Sequence, residues 1–383
     1  MKRLAVFYLT LSVGLAAVIA LNAFLTFREA AVVEEFLESA PARAGAGGET
    51  GEGNVKILVN YEQEQRRLTM KILDSDRSSE IFVFGSSHCY LFEDRSFSAP
   101  FLNLSVTSGS VMDFAAFTRR LLARTNKPRL VLIGADYWTV CPSIFRSDAY
   151  GFDYLAAYIS FVSKTEGTYS GCLDFAGQVS RTLRAAFTYE LLRRRMAEPP
   201  FIAGLSFFTA CRPSDIGYDA RRRIYKNPKV YEATDEYRIK EARAHFESVK
   251  KEFAANPPLD AGALRTFSSV LGELKKAGTA VIVFAPPFSF DEFELYKNDK
   301  KIFGRVTEFY SAIRGACLSG EVAFHDLSDP STPGLGLTRE DFFDAHHTTR
   351  SGSEKIMKYI MKNSDEKTGK SFSGNISAPT SQQ

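Results

Sequence analysis

Three polar residues have the types and spacing for acyl-group chemistry: Ser87, Asp344 and His347. Ser87 stands in Gly85-Ser86-Ser87-His88, directly after the apolar run Glu80 to Phe84. A serine just past the end of a buried strand turns its hydroxyl to solvent and its backbone N–H toward a developing oxyanion. The preceding glycine lets the chain turn without a Cβ clash. Such a hydroxyl is a weak nucleophile unless a base stands near it. The segment Asp341-Phe342-Phe343-Asp344-Ala345-His346-His347 offers one. On a turn of helix, Asp344 and His347 would share a face. The carboxylate could then hold Nδ1–H and leave Nε2 to take the serine proton. His346, in an Asp-x-His arrangement with Asp344, is the other candidate base. Asp341 is expected to cap a helix that begins nearby. Gly-Ser-Ser alone is common in loops, and a lone Asp-His pair is common in caps. The motif is not the G-x-S-x-G elbow, because position 89 is cysteine.

The elements that must bring these residues together alternate in type. Glu80 to Phe84, Pro100 to Leu104, Arg129 to Ile133, Thr279 to Ala285 and Val322 to Leu327 read as short strands. Val55 to Leu73, Met112 to Thr125, Leu264 to Lys276 and a segment within Tyr296 to Leu318 read as helices. In the second of these, Arg119, Arg120 and Arg124 are expected on the outer face. Alternation of apolar strands with helices predicts an α/β fold with a mainly parallel sheet covered on both faces. The stretch from about 141 to 260 breaks the alternation and reads as a helical insertion. It contains Arg193-Arg194-Arg195 and Arg221-Arg222-Arg223, which are either a solvated helix face or a surface for anionic head groups or an acidic polymer.

Gly85-Ser86-Ser87 resembles the first block of the SGNH (GDSL-like) hydrolase and acyltransferase superfamily. Asp344-x-x-His347, with Gly352 following, resembles its last block. The resemblance covers about Glu80 to Trp138 and Thr279 to Lys362, not the helical middle. It implies a three-layer α/β/α sandwich, flavodoxin-like in character, and a triad of Ser87, His347 and Asp344. The spacing to Gly352 favours His347 over His346. The family's first block usually reads Gly-Asp-Ser. The Gly-Ser-Ser form is similar to that of the membrane-anchored Dlt-type D-alanyl transfer proteins, whose layout of anchor and outward domain this chain shares. The block that usually reads Gly-x-Asn-Asp is here Gly134-Ala135-Asp136-Tyr137. An ionised Asp136 would repel an oxyanion, so the hole must use backbone N–H groups, such as those of Ser87 and Gly109, or a protonated Asp136.

The chain has 383 residues, and 48 basic against 45 acidic residues leave no field suited to nucleic acid. Five scattered cysteines, without a C-x-x-C pair, argue against a disulfide framework or a zinc module. Lys2 and Arg3 precede an uncharged apolar run from Leu4 to Phe27, long enough to span a bilayer. It reads as an uncleaved anchor with the N-terminus in the cytoplasm; a cleaved signal peptide is the alternative. Residues 1–30 are thus the anchor, 31–54 a linker rich in Ala, Gly and Glu, 55–362 the catalytic domain, and 363–383 a disordered tail. The domain would lie in the periplasm or outside the cell. No cofactor is expected. A metal site built from His88, Cys89, Asp344, His346 and His347 is disfavoured because no tight ligand pair announces it. Cys89 reads as a small buried residue. Tyr137 and Trp138 read as core or rim, with carbohydrate stacking as the functional alternative.

These readings converge on a serine esterase or O-acyltransferase. The expected partners are an acylated envelope glycan or polymer, the lipid bilayer and a membrane-bound acyltransferase. The other reading is a catalytically weak or inactive SGNH-like domain that binds or scaffolds an envelope acyltransferase system.

Overall fold

The computed structural model describes residues 57–58, 62–93, 97, 99–141, 152–166, 216–218, 224–226, 234–254 and 259–368. The chain forms two compact units. The first is Met1–Ile57 with Tyr218–Arg222, of which only Ile57 and Tyr218 are described. The second holds the main sheet, the helices and the candidate site. The apolar run Leu4 to Phe27, the linker and both arginine triplets lie outside the described residues. Among the described residues, no helix is long and apolar enough to cross a membrane.

Five strands make the main sheet: β1 (Ile81–Phe84), β2 (Phe101–Asn103), β3 (Leu130–Gly134), β4 (Ala280–Ala285) and β5 (Ala323–Asp326). Among the described residues, eight helices accompany them: α1 (Glu62–Ser75), α2 (Val111–Leu121), α3 (Phe152–Thr165), α4 (Asp235–Ala254), α5 (Ala261–Lys276), α6 (Phe290–Asn298), α7 (Lys300–Ser319) and α8 (Arg350–Thr368). The strand order is β2-β1-β3-β4-β5, and every pairing is parallel. The expected α/β class with a parallel sheet is therefore what the chain forms.

Alternation along the strands explains why the three central ones, β1, β3 and β4, are apolar throughout. Ile81, Val83, Leu130, Leu132, Ile282 and Phe284 share a core with Ile356, Met357, Ile360 and Met361 of α8. The opposite face meets α2: Phe84 lies 5.9 Å from Phe114 and 5.4 Å from Phe117, ring to ring. Strands buried on both faces have no solvent side for polar residues. The register pairs Phe84 with Ile133 and Gly134 with Phe284, so β1, β3 and β4 end nearly level. In this strand order the direction of winding reverses between β1 and β3. Crevices for ligands open at such a reversal, beyond the carboxyl ends of the strands.

Several expected elements differ. Helix α1 begins at Glu62, not Val55, and Ile57–Leu58 is a short strand. Two further short strands, Ile216–Tyr218 and Ile224–Lys226, fall within the stretch read as helical, alongside α3 and α4. Arg124 is buried rather than outward, because Asp76 Oδ2 accepts from it at 3.0 Å and its guanidinium lies over the Phe82 ring. The segment Tyr296 to Leu318 is divided at Asp299, whose carboxylate accepts the N–H groups of Lys301 and Ile302 and starts α7. The last helix continues through Thr368, past the point where a disordered tail was expected.

Candidate active site

The serine turn is built by close packing. After β1 the chain enters a 3₁₀ turn, Ser87–Cys89. Ser86 caps it by accepting the N–H of His88 on Oγ at 3.2 Å. Cys89 is fully buried between the ends of β1 and β3, where glycine is required on both sides. A Cβ on Gly85 would lie 2.7 Å from Cys89 Sγ, and one on Gly134 2.3 Å from it. Burial, then the nearby Asp136, pushes the Cys89 thiol well up, so it is an inert wedge and not a nucleophile. From β2, Asn103 Nδ2 donates to the carbonyls of Cys89 (2.7 Å) and Phe92 (3.2 Å) and stitches the turn to the sheet. Ser87 is the partly exposed residue of a turn whose other members are buried.

Asp344 and His347 were expected on a helical turn. They lie instead in a loop between the 3₁₀ turn Arg339–Asp341 and α8. Phe342 and Thr348 pair across this loop, and Phe343 N–H donates to His347 O at 3.1 Å. Asp344 organises the loop from inside. Its Oδ1 accepts the N–H groups of His346 (3.1 Å) and His347 (2.8 Å), and its Oδ2 lies 2.7 Å from His347 Nδ1. A short carboxylate can fold back on N–H groups two and three residues ahead in a loop as well as in a helix. The side-chain pair thus falls to His347, not His346. Gly352 permits the first turn of α8 to approach: a Cβ there would lie 2.5 Å from Asp341 O. Asp341 does cap, as the third residue of a box with Thr338, and it also pairs with Lys355 at 2.6 Å.

Two of the oxyanion candidates, Gly109 and Asp136, are engaged. Gly109 touches the serine turn so closely that a Cβ would lie 2.2 Å from Gly85 O. Its N–H, however, donates to Val106 O at 3.0 Å. Asp136 follows β3 but does not stand alone: its Oδ1 lies 2.5 Å from His88 Nδ1, with both side chains buried. Tyr137 and Trp138 are buried too, and Trp138 Nε1 donates to Gly109 O at 3.3 Å. They form core and offer no open face for a sugar.

Sequence reasoning missed how many histidines meet here. The chain has five, and four adjoin one another through His346. Its ring centroid lies 5.2 Å from His88, 4.3 Å from His245 and 4.1 Å from His347. The rings of His88 and His347 are 5.9 Å apart, which brings the serine turn and the late loop to one place. The fifth, His325, lies elsewhere on β5, its Nε2 2.8 Å from Ser364 Oγ. His245 comes from α4, and its Nδ1 contacts Oε1 of the fully buried Glu292 on α6. Burial opposes a charge on His245, but the Glu292 carboxylate prevails and raises its pKa. Burial, then His347 and His245, drives the pKa of His346 well down and keeps that imidazole neutral. The site therefore holds three His–carboxylate pairs around one neutral histidine. Ser289-x-x-Glu292 reads in sequence as a helix start, and Ser289 Oγ does accept the N–H of Glu292 at 3.2 Å. Nothing in the spacing of His245 marks it; the scarcity of histidines was the one available signal.

No family model and no curated protein matches the chain. A solved structure described as "a putative platelet activating factor from Streptococcus pneumonia" is similar to it, with 11% identity and a TM-score of 0.35. That likeness covers 79% of this chain and 92% of the other. So distant a likeness carries no argument about function. The fold and the site define an α/β domain with histidines and carboxylates clustered at the carboxyl end of its parallel sheet.

Proposed function

We propose that this chain is a serine esterase or O-acyltransferase of SGNH type, with a three-layer, flavodoxin-like sandwich. One observation carries the reading: Asp344 Oδ2 lies 2.7 Å from His347 Nδ1 at the sheet end where the Ser87 turn emerges. With Nδ1–H given to the carboxylate, Nε2 is the nitrogen that accepts a proton. Ser87 Oγ attacks the acyl carbonyl as His347 takes its proton, and Asp344 stabilises the imidazolium. The tetrahedral intermediate collapses with return of that proton to the leaving alkoxide. Water or a polymer hydroxyl then takes the acyl group from Ser87.

The oxyanion falls to the Ser87 N–H and to His88. His88 Nε2 is buried and makes no hydrogen bond among the described residues. In the form of the His88–Asp136 pair that carries no net charge, Nε2 bears a proton and can donate. The pair would thus replace the asparagine that the family uses. The acyl groups belong to an envelope glycan or polymer, reached because Leu4 to Phe27 anchors the domain at the membrane, outside the cytoplasm.

A second reading, a scaffold for an envelope acyltransferase, is favoured by the engagement of Gly109 N–H with Val106 O. Assay of the purified chain against short acyl esters, with and without a carbohydrate acceptor, beside Ser87→Ala separates the two. The enzyme reading requires turnover that Ser87→Ala abolishes; equal rates for both proteins would reject the nucleophile.

A further inference from the structure

We infer that His245, Glu292 and His346 form a binding site for a divalent transition-metal ion of the zinc type, beside the serine site. The three residues each present a ligand atom, and these atoms lie within 4.8 Å of one another. They come from three separate elements: α4, α6 and the loop before α8. Two imidazoles and one carboxylate are a donor set that holds catalytic zinc, which keeps its fourth position open for water or substrate. Calcium and magnesium prefer all-oxygen shells, so the two nitrogens select against them.

A simple ion pair explains only part of this cluster. The contact between His245 Nδ1 and Glu292 Oε1 satisfies one carboxylate oxygen. Glu292 Oε2 and His346 Nδ1 are also buried, and neither makes a hydrogen bond among the described residues. Leaving a buried polar atom unsatisfied costs about 1–3 kcal/mol, and more for a charged group. Each is a ligand atom of the kind that a cation held by these three residues takes. The cation's own charge would also offset that of a carboxylate wholly removed from solvent.

An overlapping set, Asp344 with His346 and His347, meets the same distance limit. It is the weaker choice. Asp344 already accepts from the N–H groups of His346 and His347, and its second oxygen is held by His347 Nδ1. Binding at the first set leaves that pair intact and sets the ion one imidazole away from it.

The test is metal binding by the purified full-length chain, stripped with chelator and titrated with Zn²⁺, then with Co²⁺ as a visible probe. About one equivalent should bind, and Co²⁺ should give the intense visible bands of a low-coordinate site with nitrogen ligands. Glu292→Gln and His245→Ala should each weaken binding by about 100-fold or more, at least the loss seen when outer-shell partners are removed. Asp344→Asn should still bind. Should Glu292→Gln fail to fold, His245→Ala, on the more exposed member, decides the question. Absence of stoichiometric binding by the unaltered chain would overturn the site. So would unchanged binding in folded His245→Ala and Glu292→Gln, or loss in Asp344→Asn with Glu292→Gln spared. Labelling of Ser87 by a fluorophosphonate in chelator-treated protein reports separately on the serine chemistry.

Discussion

Asp136 holds His88 and does not stand alone: its Oδ1 lies 2.5 Å from His88 Nδ1, and both side chains are buried. In sequence, Asp136 stands where an oxyanion donor is wanted and brings the wrong charge. In the structure that carboxylate is turned to a histidine, and the proposed function gives the donor's role to that histidine. His88→Ala should therefore lower kcat by about 10²–10³, the usual loss of one oxyanion donor, with little change in KM. His88→Gln, whose amide can donate from a similar position, should recover part of that loss. Steady-state kinetics on a short acyl ester decides it; an unchanged kcat in His88→Ala would remove His88 from the oxyanion hole.

Asp344 acts on the imidazole ring and on the loop that carries it. Asp344→Asn should retain much of the loop, because an amide oxygen can still accept the N–H groups of His346 and His347. It cannot fix the same tautomer of His347. A fall of about 10⁴ in kcat is expected, as for other triads with this change. A thermal melt checks that the protein is folded. A folded variant with kcat within about tenfold of the parent would fall short of any triad role.

Much of the frame was legible in the sequence because the central parallel strands β1, β3 and β4 are written as continuous apolar runs, and the edge strands β2 and β5 were also found within a residue or two. The two ends of the site were legible for the same reason: each directly follows such a run or the loop beyond it. The local form around Asp344 was not, since i,i+3 spacing suits a helix and a carboxylate-capped loop equally. Arg124 was misplaced because helical periodicity cannot foresee that Asp76 takes the charge and Phe82 the guanidinium face. The partnership of His245 and Glu292 was invisible because it joins α4 to α6 across 47 residues, and the helix start at Ser289-x-x-Glu292 says nothing of a histidine partner.

The wedge at Cys89 predicts a paired rescue. Gly134→Ala should destabilise the domain by about 1–3 kcal/mol through overpacking, because the new Cβ would meet Cys89 Sγ at 2.3 Å. Cys89→Ala removes that sulfur, so the double variant should be more stable than Gly134→Ala alone. Urea unfolding measures both. Gly109→Ala has no such rescue, since its Cβ would meet the backbone carbonyl of Gly85. Additive effects at positions 134 and 89 would contradict the wedge.

Asp341 ties the late loop to α8 and makes it acid-sensitive. Burial alone would raise its carboxyl, but Lys355 at 2.6 Å and the N–H of Thr338 at 2.8 Å hold it below the usual carboxylate range. A depressed folded pKa contributes stability that is fully present above the unfolded value of about 3.9. That contribution is lost as pH falls through the lower folded value. Asp341→Asn should therefore be less stable at neutral pH, and the gap from the parent should narrow steadily below about pH 4. Chemical denaturation from pH 7 to pH 3 reads this directly; a constant gap across that range would show that the ion pair does not matter.

The nucleophile is tested most directly by treating the folded chain with a fluorophosphonate and mapping the modified peptide by mass spectrometry. The account predicts one label, on Ser87, lost in Ser87→Ala and slowed in His347→Ala. A folded, unmodified protein, or a label on any other residue, would contradict it.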